Sequence, residues 1–450
     1  MIQNGESAAN GKARRLSLDA LEAALRAVRP YRCLTSHIKV TDAKLVAGNE
    51  SITLAPHRRV FLLSLGKASV EMMRAVLDVL DHSRIDGIVV APKAQPIDRF
   101  DDRIKLFQAG HPVPDRDGLK AARAVSDALQ EIRQDELLIC MISGGASAML
   151  PSLPSDIPLR DEQTLTKAML ESAATIHEIN TVRRHISTLR GGRLVQKCRA
   201  NTILSLIMSD VPGDFLPDIA SGLTTEDPST YDDAIAVLKR REVWPKTPET
   251  VRNHLLRGSR RIIEETPKPG AREFGRVHNI IIANARTACL AAAKLLSLNH
   301  VKAEVLTSCV EMRASDLGRF LASMARERRE RGDLLPSSAY ILGGETTVQV
   351  KGNGVGGRNQ ETVLSASKSI AGLQGVTVAA LGTDGVDGNS QAAGAIADGR
   401  TLTRAERRGL KPEDFLYQND SYRFFRALND NLITGATGTN VGDIYLTIVI

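Results

Sequence analysis

The sequence predicts an α/β protein with two α/β/α domains, an N-terminal Rossmann-like parallel sheet and a C-terminal mixed sheet. In the first 210 residues, short apolar runs are repeatedly followed by a turn and then by a helical pattern. These runs do not alternate polar with apolar residues, which is typical of strands covered on both faces of a parallel sheet. A second series of this kind begins near residue 277. The 450 residues suffice for two or three such domains.

The elements follow from these patterns in chain order. Residues 1–16 lack an apolar core and are predicted to be a disordered tail, after which Ser17 is expected to cap a first helix that ends at Pro30. The N-terminal domain, residues 17–250, is predicted to contain strands at 60–65, 87–90, 104–107, 137–142 and 202–208. The C-terminal domain, residues 251–450, is predicted to contain strands at 277–283, 303–306, 376–381, 432–434 and 444–449.

Composition excludes several classes of function. The net charge of +7 favours acidic ligands, but no basic tract is interleaved with aromatic residues, so no nucleic-acid partner is predicted. No apolar run reaches the ~20 residues that a membrane span requires, and the first residues do not resemble a secretory signal. The five cysteines show no C-x-x-C spacing, which predicts reduced thiols in a cytoplasmic protein.

Polar turns follow four predicted strands of the N-terminal domain: GKAS (66–69), GHPVPD (110–115), SGGAS (143–147) and SDVPGD (209–214). Ligands of doubly wound sheets bind beyond the carboxyl ends of the strands, where these turns are expected to meet. Lys67 is not part of a Walker motif, because Phe61 occupies the position of its first glycine. A lysine at a strand-to-helix turn can nevertheless reach a phosphate.

The SGGAS turn has three interpretations. Its N–H groups and hydroxyls could bind a phosphate or a carboxylate, it could be a structural turn, or one serine could be a nucleophile. The last is disfavoured because the spacing is not G-x-S-x-G. The basic segment with Arg183, Arg184, His185, Arg190 and Arg193 has two interpretations, a solvated helix face or an edge that faces phosphate.

Acidic residues also collect on glycine-containing turns. Asp210 and Asp214 follow one predicted strand, and Asp384 and Asp387 follow another. Magnesium beside phosphates needs only one or two protein carboxylates, although aspartate is common in turns for structural reasons as well. The histidines show no ligand spacing, so no transition-metal site is predicted, and only His111 is placed near a site.

The stretch 341–361, ILGGETTVQVKGNGVGGRNQE, contains six glycines and leads into a helical pattern. Such a turn before a helix can hold an anion. Gly352-x-Gly354-x-x-Gly357 also matches the dinucleotide fingerprint, but the next strand-end acid, Asp384, lies 27 residues after Gly357 instead of about 20. The guanidinium of Arg358, directly after the last glycine, suits a phosphoryl group under transfer.

Taken together, these motifs resemble the glycerate 2-kinases of the MOFRL type, a family of which some members are labelled hydroxypyruvate reductase. The resemblance rests on motifs in the same order: GKAS (66–69), GHPVPD (110–115), SGGASAML (143–150), RRHISTLRGGRL (183–194), SDVPGD with IASG (209–222), GGET (343–346), GGRNQE (356–361), GTDGVDG (382–388), AAGAIAD (392–398) and TGTNVGD (437–443). They cover nearly all of the chain, and the MOFRL region is expected at about 335–445.

The resemblance implies that ATP phosphorylates D-glycerate at its 2-hydroxyl, with Mg²⁺, in the cleft between the two domains. It implies catalytic roles for Lys67, Arg358, Asp210 and Asp384; Asp210 and Asp384 are the candidates to hold Mg²⁺ or to orient the 2-hydroxyl. Substrate and nucleotide are expected to contact Gly66, Ser69, His111, Ser143, Gly144, Gly145, Ala146, Ser147, Arg184, Gly343, Gly344, Glu345, Thr346, Gly357, Asn359, Gln360 and Asp387. A homodimer is one possible assembly, because the sequence leaves the oligomeric state open.

The chain departs from the family pattern at three places. Ala146 replaces the third glycine of the SGGGSA loop, Leu223 replaces the proline of SGPT, and the last strand reads IYLTIVI. None of these changes removes a charged candidate. Two alternatives stay open: an NAD(P)H-dependent hydroxypyruvate reductase, favoured by the literal glycine fingerprint, and a non-catalytic sensor of sugar acids or nucleotides.

Overall fold

The computed structural model describes residues 2–8, 10–41, 44–53, 59–80, 84–93, 97–172, 174–330 and 337–450. The chain divides into two compact units, which we name after their sheets. The parallel-sheet unit comprises Pro30–Met208 and Asp214–Ile282. The mixed-sheet unit comprises Met1–Arg29, Ser209–Gly213 and Ala283–Ile450.

Strands and helices alternate along most of the described chain. The strands are β1 (Ile38–Val40), β2 (Lys44–Ala47), β3 (Glu50–Thr53), β4 (Val60–Leu65), β5 (Ile85–Pro92), β6 (Ile104–Ala109), β7 (Leu137–Ile142), β8 (Thr202–Met208), β9 (Val277–Ala283), β10 (Lys302–Val310), β11 (Ser338–Gly344), β12 (Val376–Gly382), β13 (Gly394–Asp398), β14 (Asn431–Leu432) and β15 (Asp443–Val449). The helices are α1 (Gly5–Ala8), α2 (Lys12–Ala27), α3 (Pro30–His37), α4 (Ser69–Leu77), α5 (Arg116–Glu131), α6 (Ala146–Met149), α7 (Leu159–Glu171), α8 (Ile176–His185), α9 (Arg193–Lys197), α10 (Tyr231–Arg240), α11 (Glu249–Ser259), α12 (Ala285–Leu298), α13 (Ala314–Glu330), α14 (Arg358–Ser369), α15 (Thr401–Glu406), α16 (Pro412–Tyr417) and α17 (Ser421–Leu428).

The parallel-sheet unit confirms the five strands predicted in the first half of the chain. Its six-stranded sheet has the order β6-β5-β4-β7-β8-β9, and β4 pairs in parallel with both β5 and β7. Every residue of β4 and of β7 is buried, as expected for strands covered on both faces. A small antiparallel sheet, β1-β2-β3, precedes them in the chain.

Helix α8 of this unit is fixed at its start and along one face. Thr175 and Glu178 form a capping box, in which Thr175 N donates to Glu178 Oε2 at 2.8 Å. Burial alone would raise the pKa of Glu178, but the guanidiniums of Arg241 and Arg240 lower it to about 2. Apolar residues of this segment pack with α7, α10 and α11 in one cluster: Ile179, Val182 and Ile186. This packing fixes the direction of the basic residues at the end of α8.

The mixed-sheet unit confirms the predicted mixed sheet. Its strand order is β10-β11-β15-β12-β13-β14. β10 pairs with β11 in parallel, whereas β15 is antiparallel to both of its neighbours, β11 and β12. The chain therefore ends in a central strand, all of whose residues are buried. α13 and α14 pack against one face of this sheet, and their buried residues join its core.

The predicted disordered tail over residues 1–16 is wrong for the part that the structure describes; residues 1 and 9 lie outside it. Helix α2 begins at Lys12, so Ser17 lies inside the helix and donates from Oγ to Ala13 O instead of capping it. Arg14 is buried and pairs with Asp430 at 2.8 Å and with Asp398 at 2.5 Å. These long-range ion pairs, which local sequence cannot show, anchor the segment to the mixed-sheet unit.

The division into units also differs from the predicted boundary at residue 250. The strand predicted to open the second domain, Val277–Ala283, joins the parallel sheet as its edge strand β9. The main division falls at the last residue of this strand, between Ile282 and Ala283. In addition, the residues directly after β8, Ser209–Gly213, belong to the mixed-sheet unit. An apolar run indicates a strand but not the sheet to which it belongs.

Candidate active site

The predicted site residues fall into two groups, one in each unit, and each group is described by itself. The parallel-sheet unit contains Gly66, Lys67, Ser69, His111, Ser143, Gly144, Gly145, Ala146, Ser147 and Arg184. The mixed-sheet unit contains Asp210, Gly343, Gly344, Glu345, Thr346, Gly357, Arg358, Asn359, Gln360, Asp384 and Asp387.

The Lys67 turn and the SGGAS turn are joined where β4 and β7 end. Lys67 N donates to Gly144 O at 2.9 Å, and Ala68 N donates to Ser143 Oγ at 3.0 Å. Gly66 has φ 111°, and a Cβ there would lie 2.4 Å from both the carbonyl oxygen and the hydroxyl of Ser143. Only glycine fits this approach. The prediction that the two turns meet at one sheet edge is therefore confirmed.

Ser143 and Ser69 have structural positions and do not present hydroxyls to solvent. Both side chains are fully buried. Ser143 Oγ donates to Leu65 O at 3.1 Å, while Ser69 Oγ meets no hydrogen-bond partner within the described ranges. Lys67 itself is half-buried at the start of the turn. Of the three serines predicted to contact a ligand, Ser69 and Ser143 therefore keep their hydroxyls inside the protein.

The second half of the SGGAS turn is more accessible. Gly145 has φ 85° and precedes α6, and a Cβ there would lie 3.0 Å from the exposed ring of His111, so these two predicted residues are adjacent. Ser147 Oγ lies 2.8 Å from Ser221 Oγ, which in turn donates to Asn180 Oδ1 at 2.8 Å. Ala146 begins α6, where a helical backbone accepts alanine as readily as glycine.

Arg184 was predicted to bind the ligand, but the structure uses its charge internally. Its side chain is fully buried, donates to Pro217 O at 2.8 Å, and forms ion pairs with Asp218 at 3.0 Å and Asp227 at 2.9 Å. A guanidinium enclosed by two carboxylates has no free donor edge for a substrate. The residue of this motif that touches the SGGAS turn is Arg190, whose Nη2 donates to Ser147 O at 2.6 Å.

The segment after the SDV turn carries backbone strain. Asp214, Ala220 and Ser221 have φ of 56°, 52° and 55°, in the left-handed region that non-glycine residues rarely adopt. Such conformations cost about 1–3 kcal/mol each and cluster at functional sites. Ser221 is also the middle member of the Ser147–Ser221–Asn180 chain of hydroxyl and amide groups. Sequence reasoning missed Ser221 and Asn180, although the IASG motif contains the first of them.

In the mixed-sheet unit, Arg358 is the first residue of α14 and its guanidinium lies between two carboxylates. Its Nε donates to Asp443 Oδ2 at 2.5 Å, and its Nη1 donates to Glu345 Oε1. Burial alone would lower the pKa of Arg358, but Asp443 and Glu345 raise it well above its ordinary value. The side chain stays 34% exposed, and each of its three nitrogens meets one of the two carboxylates.

Asp443, which was not singled out from the sequence, is the centre of this site. It is buried, accepts from Asn359 Nδ2 at 3.0 Å, and lies 3.0 Å from the hydroxyl of Tyr445. That hydroxyl also lies 3.0 Å from Thr346 Oγ1, so the GGET and GGRNQE motifs are linked through Asp443 and Tyr445. Burial and the charge of Asp443 raise the pKa of Tyr445 well above its ordinary value. The sequence signal that could have identified Asp443 is an acidic residue at the first position of an apolar strand.

Asn359 and Gln360 lie in the first turn of α14, and Asp387, from the turn after β12, holds them; all three residues are buried. Asp387 accepts from the backbone N–H groups of Asn359 and Gln360 at 3.0 and 2.9 Å, and from Gln360 Nε2 at 2.9 Å. Burial raises the pKa of Asp387 to about 6, with a further contribution from Asp443, although these hydrogen bonds oppose the shift. The structure therefore shows these three residues holding the start of the helix that carries Arg358, and their contact with a ligand stays a prediction.

The glycine stretch before Arg358 is bound to the protein by its own N–H groups. Gly352 N donates to Asn419 Oδ1, Gly354 N to Gln418 O and Gly356 N to Asn389 Oδ1, at 2.8 to 3.0 Å. The glycines are required for packing, because a Cβ at Gly357 would lie 2.3 Å from Asp387. These donors are therefore not available to a dinucleotide, and the fingerprint interpretation is wrong.

Asp210 and Asp384 both belong to the mixed-sheet unit and are connected through the TGTNVGD segment. Asn440 Nδ2 donates to Asp210 Oδ2 at 2.6 Å, and Thr437 N donates to Asp384 O at 3.3 Å. Both aspartates are half-buried. In the part of the chain that the structure describes, no group of three or more His, Cys, Asp or Glu side chains is arranged to hold a metal ion. A magnesium ion beside phosphates can use fewer, because the phosphates and water complete its shell.

Two family models match the chain. Residues 16–256 match a domain of unknown function, DUF4147, and residues 338–443 match the MOFRL family.

No helix among the described residues is long and apolar enough to cross a membrane. All five cysteines are free in the structure.

Relatives match over nearly the full chain. A protein of Pyrococcus horikoshii named glycerate 2-kinase is 39% identical over 97% of both chains, and one of Thermotoga maritima named D-glycerate 2-kinase is 36% identical over 97% of this chain and 98% of its own. A relative from Agrobacterium vitis, 36% identical over 92% of both chains, carries the name putative hydroxypyruvate reductase.

The fold is also that of a solved relative. The crystal structure of glycerate kinase from Thermotoga maritima superposes with a TM-score of 0.81 at 35% identity, and the match covers 97% of this chain and 99% of that one. The order of the motifs, the two sheets and these matches agree, and the chain belongs to the family of glycerate 2-kinases with DUF4147 and MOFRL domains.

Proposed function

We propose that this enzyme transfers the γ-phosphoryl group of ATP to the 2-hydroxyl of D-glycerate, which gives 2-phospho-D-glycerate and ADP. The observation that carries the proposal is Arg358, a partly exposed guanidinium held at the start of α14 by Glu345 and Asp443. Phosphoryl transfer depends chiefly on positioned positive charge, and a rigid donor fork supplies it. The names of the full-length relatives support the same reaction.

In the proposed reaction, the 2-hydroxyl oxygen forms a bond to the γ-phosphorus while the bond to the β–γ bridging oxygen breaks. The electron pair of that bond leaves with ADP. The hydroxyl proton goes to the carboxylate of Asp210 or Asp384, whichever of these two half-buried residues does not hold the metal. Arg358 would stabilise the equatorial oxygens of the phosphoryl group in the transition state.

Lys67 is proposed to bind a phosphate of the nucleotide. It lies at a strand-to-helix turn that two backbone hydrogen bonds and Gly66 hold in place. A lysine ammonium on such a turn acts as a point charge with three donors. The fixed turn limits the positions that the ammonium can reach, which is what a phosphate contact requires.

The donor set fits Mg²⁺. Asp210 and Asp384 offer carboxylate oxygens, the ligand type that this hard cation prefers, and Asn440 holds one oxygen of Asp210. Bound there, the cation would neutralise charge on the β- and γ-phosphates. The chain's own contribution is to hold the turns that carry the two aspartates against the TGTNVGD segment.

One coupled assay tests the proposal. D-glycerate, ATP and magnesium are incubated with the enzyme, and enolase, which accepts 2-phosphoglycerate, reports the product. A signal without further additions supports the 2-hydroxyl as acceptor. A signal that requires added phosphoglycerate mutase indicates the 3-hydroxyl and contradicts that part of the proposal. No ADP formation with any glycerate would overturn the kinase assignment.

Two further arms address the alternatives. NADH consumption with hydroxypyruvate, in the absence of ATP, would indicate the reductase, which the occupied N–H groups of the glycine stretch disfavour. Ligand-dependent thermal stabilisation without turnover would indicate a sensor. The cleft location of the active site, the homodimer and the cytoplasmic location stay predictions.

A further inference from the structure

One arginine of the basic segment has no partner in the described part of the chain. Its neighbours are all engaged: Arg184 with Asp218 and Asp227, His185 with Glu265, and Arg193 with the carbonyl oxygens of Arg184 and Glu264. Arg183 makes no hydrogen bond or ion pair with any described residue, and its Nε is shielded from solvent. Leaving a shielded cationic donor without a partner is costly, so an unpaired arginine indicates a ligand.

Arg183 lies on the same side of α8 as Asn180, which is linked through Ser221 to the SGGAS turn. Asn180, three residues earlier, shares its helix face, and Asn180 Oδ1 accepts from Ser221, whose hydroxyl lies 2.8 Å from that of Ser147. Arg190, whose charge acts on Arg183, donates to Ser147 O at 2.6 Å. Arg183 therefore belongs to a cluster with two hydroxyl groups and one amide, all within the parallel-sheet unit.

The charges of this cluster leave one positive charge in excess. Arg183 and Arg190 contribute two cations, and Glu162, which pairs with Arg190 at 3.2 Å, contributes one anion. Burial, and then the charge of Arg190, lower the pKa of Arg183 to about 10, which Glu162 only partly offsets. At neutral pH the guanidinium is still charged. A cluster with one uncompensated cation matches a ligand group with a single negative charge.

We propose that Arg183 binds the carboxylate of the 2-hydroxy-acid substrate, with the hydroxyls of Ser147 and Ser221 beside it, and that it distinguishes glycerate from the uncharged triol. A guanidinium binds a carboxylate with two parallel hydrogen bonds, which fixes orientation as well as charge. The assignment deepens the proposed function and rests on glycerate being the acceptor. A phosphate of the nucleotide shares the oxyanion chemistry, but its higher charge fits a single excess cation less well.

The test compares Arg183→Met with Arg183→Lys and with a matched control, Arg160→Met, whose side chain is 90% exposed in the same unit. In the kinase assay, R183M should raise KM for D-glycerate by about 10- to 100-fold, the loss expected for a charge-assisted hydrogen bond, with KM for ATP unchanged. R183K should recover part of the affinity, and R160M should behave as the wild type. The preference for glycerate over glycerol should fall by the same factor as the affinity.

A readout independent of turnover separates this proposal from the proposed function. Calorimetric titration of D-glycerate without ATP should show the same loss of affinity in R183M, even if the wild type proved not to be a kinase. The thermal midpoint of R183M should equal or exceed that of the wild type, because no protein partner is lost.

Three results would overturn the assignment. A rise in KM for ATP alone would move Arg183 to the nucleotide, and unchanged affinity for both substrates would remove it from binding. A large loss of stability with unchanged affinity would show that Arg183 pairs with Glu162, one oxygen of which has no partner in the described residues.

Discussion

Asp443 offers the sharpest test of how the site is built, because it was found from the structure and touches three motifs. Replacing it with asparagine keeps the shape but removes the negative charge that faces Arg358 Nε at 2.5 Å and Nη2 at 3.3 Å. It also places an amide NH₂ group among donors from Asn359 and Tyr445. We expect Asp443→Asn to weaken both the mixed-sheet unit and catalysis.

The magnitude follows from burial. Breaking a buried ion pair by removing one partner costs about 3–5 kcal/mol. Arg358 is 34% exposed and keeps Glu345, which reduces the expected loss to about 2–3 kcal/mol, or a fall of roughly 5–10 °C in thermal midpoint for a unit of this size. Because Arg358 loses its fixed direction, kcat should fall by about 10²-fold, while KM for glycerate changes little.

Glu345→Gln is the matched control. It alters the other carboxylate on the same guanidinium, but that side chain is 43% exposed, so its loss of stability should stay below about 1 kcal/mol. Urea unfolding and steady-state kinetics on both variants give the comparison. If E345Q were the more destabilised of the two, or if folded D443N kept normal kcat, Asp443 would not be the residue that positions Arg358.

The other predictions concern Arg358, Asp387 and Gly66. Arg358→Ala should lower kcat by about 10²-fold or more in a folded protein, and Arg358→Lys should recover little, because one ammonium cannot span both carboxylates; near-normal turnover in either would remove Arg358 from catalysis. The pKa of Asp387 is about 6 in the folded protein, above its unfolded value. Between about pH 4 and 6 the folded protein therefore keeps a proton that the unfolded chain has lost. Because of this difference, the free energy of unfolding falls as the pH rises through that window. The free energy of unfolding of wild type relative to Asp387→Asn should therefore drop by about 2–3 kcal/mol across it, and a flat difference in urea titrations would contradict the shift. Gly66→Ala should lower the thermal midpoint by several degrees and reduce kcat, because its Cβ would meet Ser143 O at 2.4 Å; unchanged melting would show that the turn can relax.

Much of the fold could be predicted because strands covered on both faces are nearly all apolar. The runs at β4, β7 and β8 were predicted with their observed bounds. The sheet to which a run belongs depends on long-range pairing, and for that reason β9 was placed in the wrong domain. The start of α2 was missed for a similar reason, since Arg14 looks like a surface residue until Asp398 and Asp430 approach it from the far end of the chain.

For the candidate site, sequence reasoning identified turns that the structure brings together within each unit, but not the direction of each side chain. A glycine-rich turn with serine predicts an anion site, yet Ser143 and Ser69 are buried and the accessible hydroxyl is that of Ser147. Among adjacent arginines, the sequence selected Arg184, which two buried acids neutralise. Which of two neighbouring residues faces a ligand depends on where the helix packs, and for α8 that is set by Ile179, Val182 and Ile186.

The ion pairs of Arg358 show what the structure adds to its selection from the sequence as a candidate phosphate-binding residue. The sequence predicts a cation for the phosphoryl group, and the structure places that cation between two carboxylates, which compensate its charge. One of the two acids, Asp443, is buried and holds Nε, whereas Glu345 is 43% exposed and holds Nη1. Only the exposed acid can move away without leaving an unpaired charge in the core. We infer that Asp443 sets the direction of Arg358, and that displacement of Glu345 frees the donor edge that a phosphate would meet.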